Sequence, residues 1–142
     1  MTPQLTLILA PHPTVRINYL ALKAVILNTF AAALLRVDLH GDIPLRPGDD
    51  PFDSNKQEAG TADEDCQVIV QSWPIQGQMT YGLLVDAMAG LQRYMVRDFQ
   101  NHEVEFGIEH KELGVIGTGR VVPNSLELVR KRGRVDLDEG SR

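Results

Sequence analysis

The sequence predicts one α+β domain: a two-layer sandwich of about four strands in the order β-α-loop-β-α-β-β, with both helices on one face of the sheet. Three patterns carry that expectation. A short apolar run at residues 5–10 precedes a long, almost wholly apolar helical stretch. Tyr81, Leu84, Met88, Leu91 and Met95 then recur at spacings of 3 and 4, one stripe of an amphipathic helix. Finally, residues 103–109 alternate apolar and polar positions, as a strand with one buried and one wet face does.

A chain of 142 residues with 43% hydrophobic and 23% charged residues has the size and composition of a single globular domain. The expected domain spans 1–125, and 126–142 form a charged tail. A net charge of −5 argues against nucleic-acid binding through the overall field. Cys66 is the only cysteine, so neither an intramolecular disulfide nor a cysteine-based zinc cluster can form; its neighbours Gln67, Val68, Ile69 and Val70 mark it as a core thiol.

The first element, 5–10, reads as a buried strand stopped by Pro11 and Pro13. Thr14 is the expected N-cap of a helix over 15–36. Only Arg16, Asn18, Lys23, Asn28 and Arg36 interrupt that helix, so it calls for cover on more than one side, by sheet and loop or by a second copy of the chain. The consecutive alanines Ala31, Ala32 and Ala33 permit close approach of another backbone. A membrane span is not expected, because Lys23 interrupts the apolar stretch 19–35 and the uncharged run 24–35 is shorter than the roughly 20 residues needed. A secretory signal is a closer imitation, but some 23 residues precede the apolar run. The expected location is cytoplasmic, with secretion as the alternative.

Residues 40–65 change character. Eight acidic side chains stand against Arg46 and Lys56, and three prolines with three glycines exclude regular structure through much of the segment. So long a loop in a compact domain is commonly functional or disordered. Ile43, Leu45 and Phe52 are placed to pin its first half to the core, whereas 54–64 reads as mobile. Residues 66–73 return to strand composition, ended by Pro74. Thr80 caps the second helix, expected over 80–99, with Asp86, Arg93 and Arg97 on its polar side and Gly82 and Gly90 marking close packing. A hairpin follows: strand 103–109, a turn at His110, Lys111 and Glu112, and a returning strand 113–122 broken by Gly114, Gly117 and Gly119.

Chemistry is harder to find. The spacing of Gly114, Gly117 and Gly119 invites a phosphate-loop reading, but strand continues after it where a dinucleotide fingerprint needs a helix N-terminus. Glycines that let another backbone or a ligand come close are the better reading. His12, His40, His102 and His110 form no HxH or HxxxH pair, and Asp49, Asp50 and Asp53 lack the oxygen spacing of a calcium loop, so no metal and no cofactor is expected. No serine stands in a GxSxG elbow. Asp86, His102 and Glu105 are the candidate catalytic acid–base residues, with Glu109 beside them, and such a site needs one buried carboxylate to bring its pKa near working pH. Glu103, Glu105 and Glu109 otherwise describe a solvated strand face. Tyr81, Trp73 and Arg93 are the candidate ligand-binding residues. The basic run at 130–134 reads as a terminal tail balanced by Asp136, Asp138 and Glu139.

The segments Thr80-Tyr81-Gly82-Leu83-Leu84, Ala89-Gly90-Leu91 and Tyr94-Met95-Val96 are followed by Val104, Phe106 and Ile108, then by Leu113-Gly114 and Gly117-Thr118-Gly119. This series, over about residues 78–121, resembles a group of small, functionally uncharacterised proteins of filamentous fungi, many of which look secreted. The resemblance implies a shared fold and brings no catalytic residue.

Two functions are therefore expected to compete. One is a non-enzymatic, homo-oligomeric binding or interaction protein that associates through helix 15–36, with a small apolar ligand as a further partner and neither nucleic acid nor a membrane span involved. The other is a cofactor-free enzyme of the isomerase or cyclase type, with an acid–base pocket between helices and sheet.

Overall fold

The computed structural model describes residues 4–56 and 66–123. Strand β1 (Leu5–Arg16) leads into helix α1 (Tyr19–His40), then a loop carrying the two-residue strand β2 (Phe52–Asp53). Strand β3 (Cys66–Ser72), helix α2 (Tyr81–Leu91) and a π-helical extension, Gln92–Arg97, come next, before the hairpin β4 (His102–His110) and β5 (Gly114–Pro123). The five strands form one antiparallel sheet in the order β1-β4-β5-β3-β2. The fold is α+β, as the sequence predicts, with β2 as an additional edge strand.

The register sorts the sheet into two faces. Leu7 lies opposite Ile108, Leu9 opposite Phe106, Phe106 opposite Gly119, and Gly119 opposite Val70. These residues share the face on which the helices pack, together with the fully buried Val68, Val104 and Val121. From the helices come Leu22, Val25, Ile26, Tyr81, Leu84, Met88 and Leu91, also fully buried. Gly90 has the reason its composition suggested: a Cβ there would lie 2.9 Å from Leu7 Cδ1, so the glycine lets α2 settle close on β1.

Several boundaries differ from expectation. Pro11 and Pro13 do not stop β1, which continues to Arg16 as the edge strand among the described residues; on an outer rim a missing N–H breaks no ladder. The register slips between His12 and Arg16, which accommodates Pro13. Accordingly β1 is half-buried at alternate positions rather than enclosed. The α1 cap is Asn18, not Thr14: its side-chain oxygen accepts from the Ala21 N–H at 3.0 Å. The helix also runs past Arg36 to His40 and ends at Gly41, whose φ of 82° favours glycine.

The loop after α1 is less a solvated acidic segment than a set of carboxylate acceptors. Asp42 Oδ1 accepts from the Gly82 N–H at 2.8 Å, and Thr80 Oγ1 accepts from the Leu83 N–H at 3.2 Å. Together they satisfy two free amides at the α2 N-terminus, where a negative charge also complements the helix dipole. Gly82 is required for that approach, since a Cβ would stand 2.7 Å from the Asp42 carboxylate. Asp50 Oδ1 accepts from the Ser72 N–H at 2.9 Å, and Asp53 Oδ1 from the Asn55 N–H at 2.9 Å. Leu45 and Phe52 are buried, and the Leu45 and Tyr81 amides bond to the Met79 and Ile43 carbonyls. Ser54, placed by composition in a mobile stretch, is instead fully buried and its Oγ accepts from the Val68 N–H at 3.0 Å. The remainder of that stretch, 57–64, and the tail 126–142 lie outside the described residues.

Candidate functional site

Helix α1 is the element whose composition and packing disagree most. Ala21, Leu22, Val25, Ile26, Thr29 and Ala33 form its buried face, and Thr29 Oγ1 donates to the Val25 carbonyl at 2.7 Å, which removes the cost of burying a hydroxyl. The opposite face should be polar in a helix covered on one side only. It is aliphatic instead: Leu20 is 73% exposed, Leu27 44%, Leu34 43% and Leu35 50%. Leu20, Ala24, Leu27, Ala31, Leu34 and Asp38 succeed one another at spacings of 4, 3, 4, 3 and 4. On a helix these positions make one continuous seam.

Of the two exposed charged side chains here, Lys23 lies beside the start of this seam and Asp38 in line with its end. Arg36 points elsewhere, donating from Nε to Asp49 Oδ2 at 3.3 Å. By length and composition α1 could cross a membrane, with mean hydropathy 1.7 over an 18-residue window, yet one side of that window is committed to the domain core. Tyr19, at the start of the helix, stacks on exposed Phe99 with ring centroids 5.1 Å apart and donates its hydroxyl to the Val96 carbonyl at 3.1 Å.

The candidate acid–base residues do not converge. Asp86 lies on the exposed side of α2; its carboxyl is raised from the ordinary value by partial burial and, secondarily, by the negative charge of Asp42. His102 is buried, its Nδ1 3.0 Å from the Glu103 carbonyl and its ring edge-on to Tyr94 at 6.2 Å. Glu105 projects from the other face of the sheet, 3.6 Å from His12 Nε2, with both side chains largely exposed. Glu103, expected on a wet strand face, is 2% exposed. Val122 and Gln67, paired on β5 and β3, are buried as well.

The candidate ligand-binding residues are dispersed as well. Tyr81 is in the core: its hydroxyl donates to Asp49 Oδ2 at 2.6 Å and accepts from the Arg46 N–H at 3.2 Å. Burial and then the Asp49 carboxylate hold its pKa above the usual phenol value. Trp73 is half-exposed at the end of β3, and Arg93 is exposed on the π-helical turn. The space expected between helices and sheet is occupied by Tyr81, Leu84, Met88, Leu91, Met95 and Phe106, each at most 2% exposed. A cavity of about 440 Å³ lies instead on the outer sheet face, lined by Asp53, Lys56, Gln71, Glu105, Thr118 and Arg120 among others. Among the described residues no cluster of three His, Cys, Asp or Glu side chains could hold a metal ion.

Compared with family models, curated proteins and solved structures, the chain matches none of them. The seam on α1 is thus identified from the molecule itself. Its signal was present in the seven-residue spacing of Leu20, Leu27 and Leu34, but an almost uniformly apolar helix hides which stripe will face outward.

Proposed function

We propose that this protein is a non-enzymatic interaction module that self-associates through the outer face of α1. The observation that carries the reading is the run of exposed leucines, Leu20, Leu27, Leu34 and Leu35, on a helix whose other face is already buried. Apolar surface removed from water contributes about 25 cal/mol per Å², so a continuous aliphatic seam strongly favours being covered. The dispersal of Asp86, His102 and Glu105 over a helix, a buried strand end and an open sheet face supports binding rather than acid–base catalysis.

Light scattering on the full chain at micromolar concentration tests this directly. The expected mass is twice that of the chain, and Leu27→Glu with Leu34→Glu returns it to the monomer while the circular-dichroism spectrum is retained. A monomeric wild-type protein under these conditions would sink the proposal.

A further inference from the structure

We infer that the second copy lies antiparallel on α1, with the two-fold axis passing beside residues 30 and 31, so that Lys23 of each chain meets Asp38 of the other. This rests on the self-association proposed above and specifies its geometry. The exposed seam alternates Leu20, Ala24, Leu27, Ala31, Leu34. Spacings of 4 and 3 suit the shallow crossing of coiled-coil packing, and the alanines between the leucines let the two helices approach closely. Both parallel and antiparallel arrangements satisfy that apolar pattern. Charge separates them.

Lys23 and Asp38 are 15 positions apart, roughly 22 Å along the helix. In a parallel two-fold pair each lysine faces a lysine and each aspartate an aspartate, which repel. Reversing one helix about residues 30 and 31 brings each lysine level with the opposite aspartate and sets Leu27 against Leu34 of the second copy. Each end of the paired seam then carries one opposite-charge pair. Neither side chain takes part in a salt bridge within its own chain among the described residues, and both are exposed. Antiparallel helices also align their dipoles head to tail, whereas parallel ones add them unfavourably. The same pairing is isologous and closes on itself, so association stops at two.

Cysteine cross-linking reads the geometry. The single native thiol, Cys66, is fully buried, so an introduced cysteine is the accessible one. Lys23→Cys and Asp38→Cys chains are prepared separately, mixed at equal concentration and oxidised gently. The antiparallel pair predicts a disulfide between the two variants, while neither forms one with itself, because like positions stand about 20 Å or more apart. Self-linked products of each variant, with no mixed product, would overturn the inference in favour of parallel pairing. A dimeric mass with no cross-link of any kind would overturn it in favour of a different face. A monomer by light scattering that binds zwitterionic lipid vesicles would refute the self-association reading itself and assign the seam to a membrane surface. Charge reversal gives an independent check: Lys23→Glu weakens the dimer on the order of threefold to tenfold, and adding Asp38→Lys restores it. A single reversal without effect, or a double reversal no better than the single, counts against the pairing.

Discussion

Gly119 and Phe106 provide the sharpest test of how this domain is packed. They are direct cross-strand partners on β5 and β4, and the ring of Phe106 lies over the glycine. A Cβ added at position 119 would sit 2.5 Å from Phe106 Cζ, 2.8 Å from Cε2 and 2.7 Å from the Ile69 carbonyl oxygen. None of these neighbours yields easily. The ring is 2% exposed and has Leu9 across β4 on its other side, and the Ile69 oxygen belongs to sheet backbone. Overpacking of this kind costs typically 1–3 kcal/mol, and a rigid ring plus a backbone atom places Gly119→Ala near the upper end, at about 2–3 kcal/mol. Phe106→Ala alone opens a cavity and costs roughly 3–5 kcal/mol. In the double variant the ring is gone, and the new methyl meets only the Ile69 oxygen while filling part of the void. Gly119→Ala should then cost about 1–2 kcal/mol less than it does in the wild-type background. Urea unfolding of the four proteins, followed by circular dichroism at one fixed concentration so that association contributes equally, measures the cycle. Additivity within about 0.5 kcal/mol, or a Gly119→Ala protein as stable as wild type, would refute the packing argument.

Two other outcomes follow from the titratable groups. Because the Asp86 carboxyl is raised in the folded chain, the fold holds that proton more tightly than the unfolded chain does. Its contribution is present below the unfolded pKa and lost as pH rises through the folded one. Asp86→Asn should therefore raise the melting temperature at neutral pH and lose that advantage in acid; an equal effect at both would show that the charge is not responsible. Tyr81→Phe removes a donor to Asp49 and an acceptor for the Arg46 amide in a buried setting, for an expected loss of about 1.5–3 kcal/mol in chemical denaturation. A loss below about 0.5 kcal/mol would mean that water replaces the hydroxyl without penalty.

Much of the second half was legible because its signals are local. Thr80 caps α2 since a hydroxyl need reach only three residues ahead, and the alternation of Val104, Phe106 and Ile108 states which strand face is buried. The capping rule misplaced the start of α1 for an equally physical reason. Thr14 and Asn18 are both competent caps, and the continued pairing of β1 with β4 as far as Arg16 decided between them. Ending α1 at Arg36 also left Asp38 outside the helix, which concealed the opposite charge at the far end of the seam. Glu103 read as solvated because alternation reports which face a residue takes and not whether that face is open at that point.

The amino-acid sequence by itself determined the kind of elements and the amphipathic side of α2. These depend on neighbours within a turn or two, and local periodicity records them. Tertiary structure alone decided the roles of the loop carboxylates and the outward face of α1. Asp42 reaches Gly82 across 40 positions and Asp49 reaches Tyr81 across 32, so no window of sequence contains both partners. For α1 the reason is different. A helix apolar on nearly every side has no preferred face of its own, and the sheet and α2, by burying Leu22, Val25 and Ile26, left Leu20, Leu27 and Leu34 facing outward.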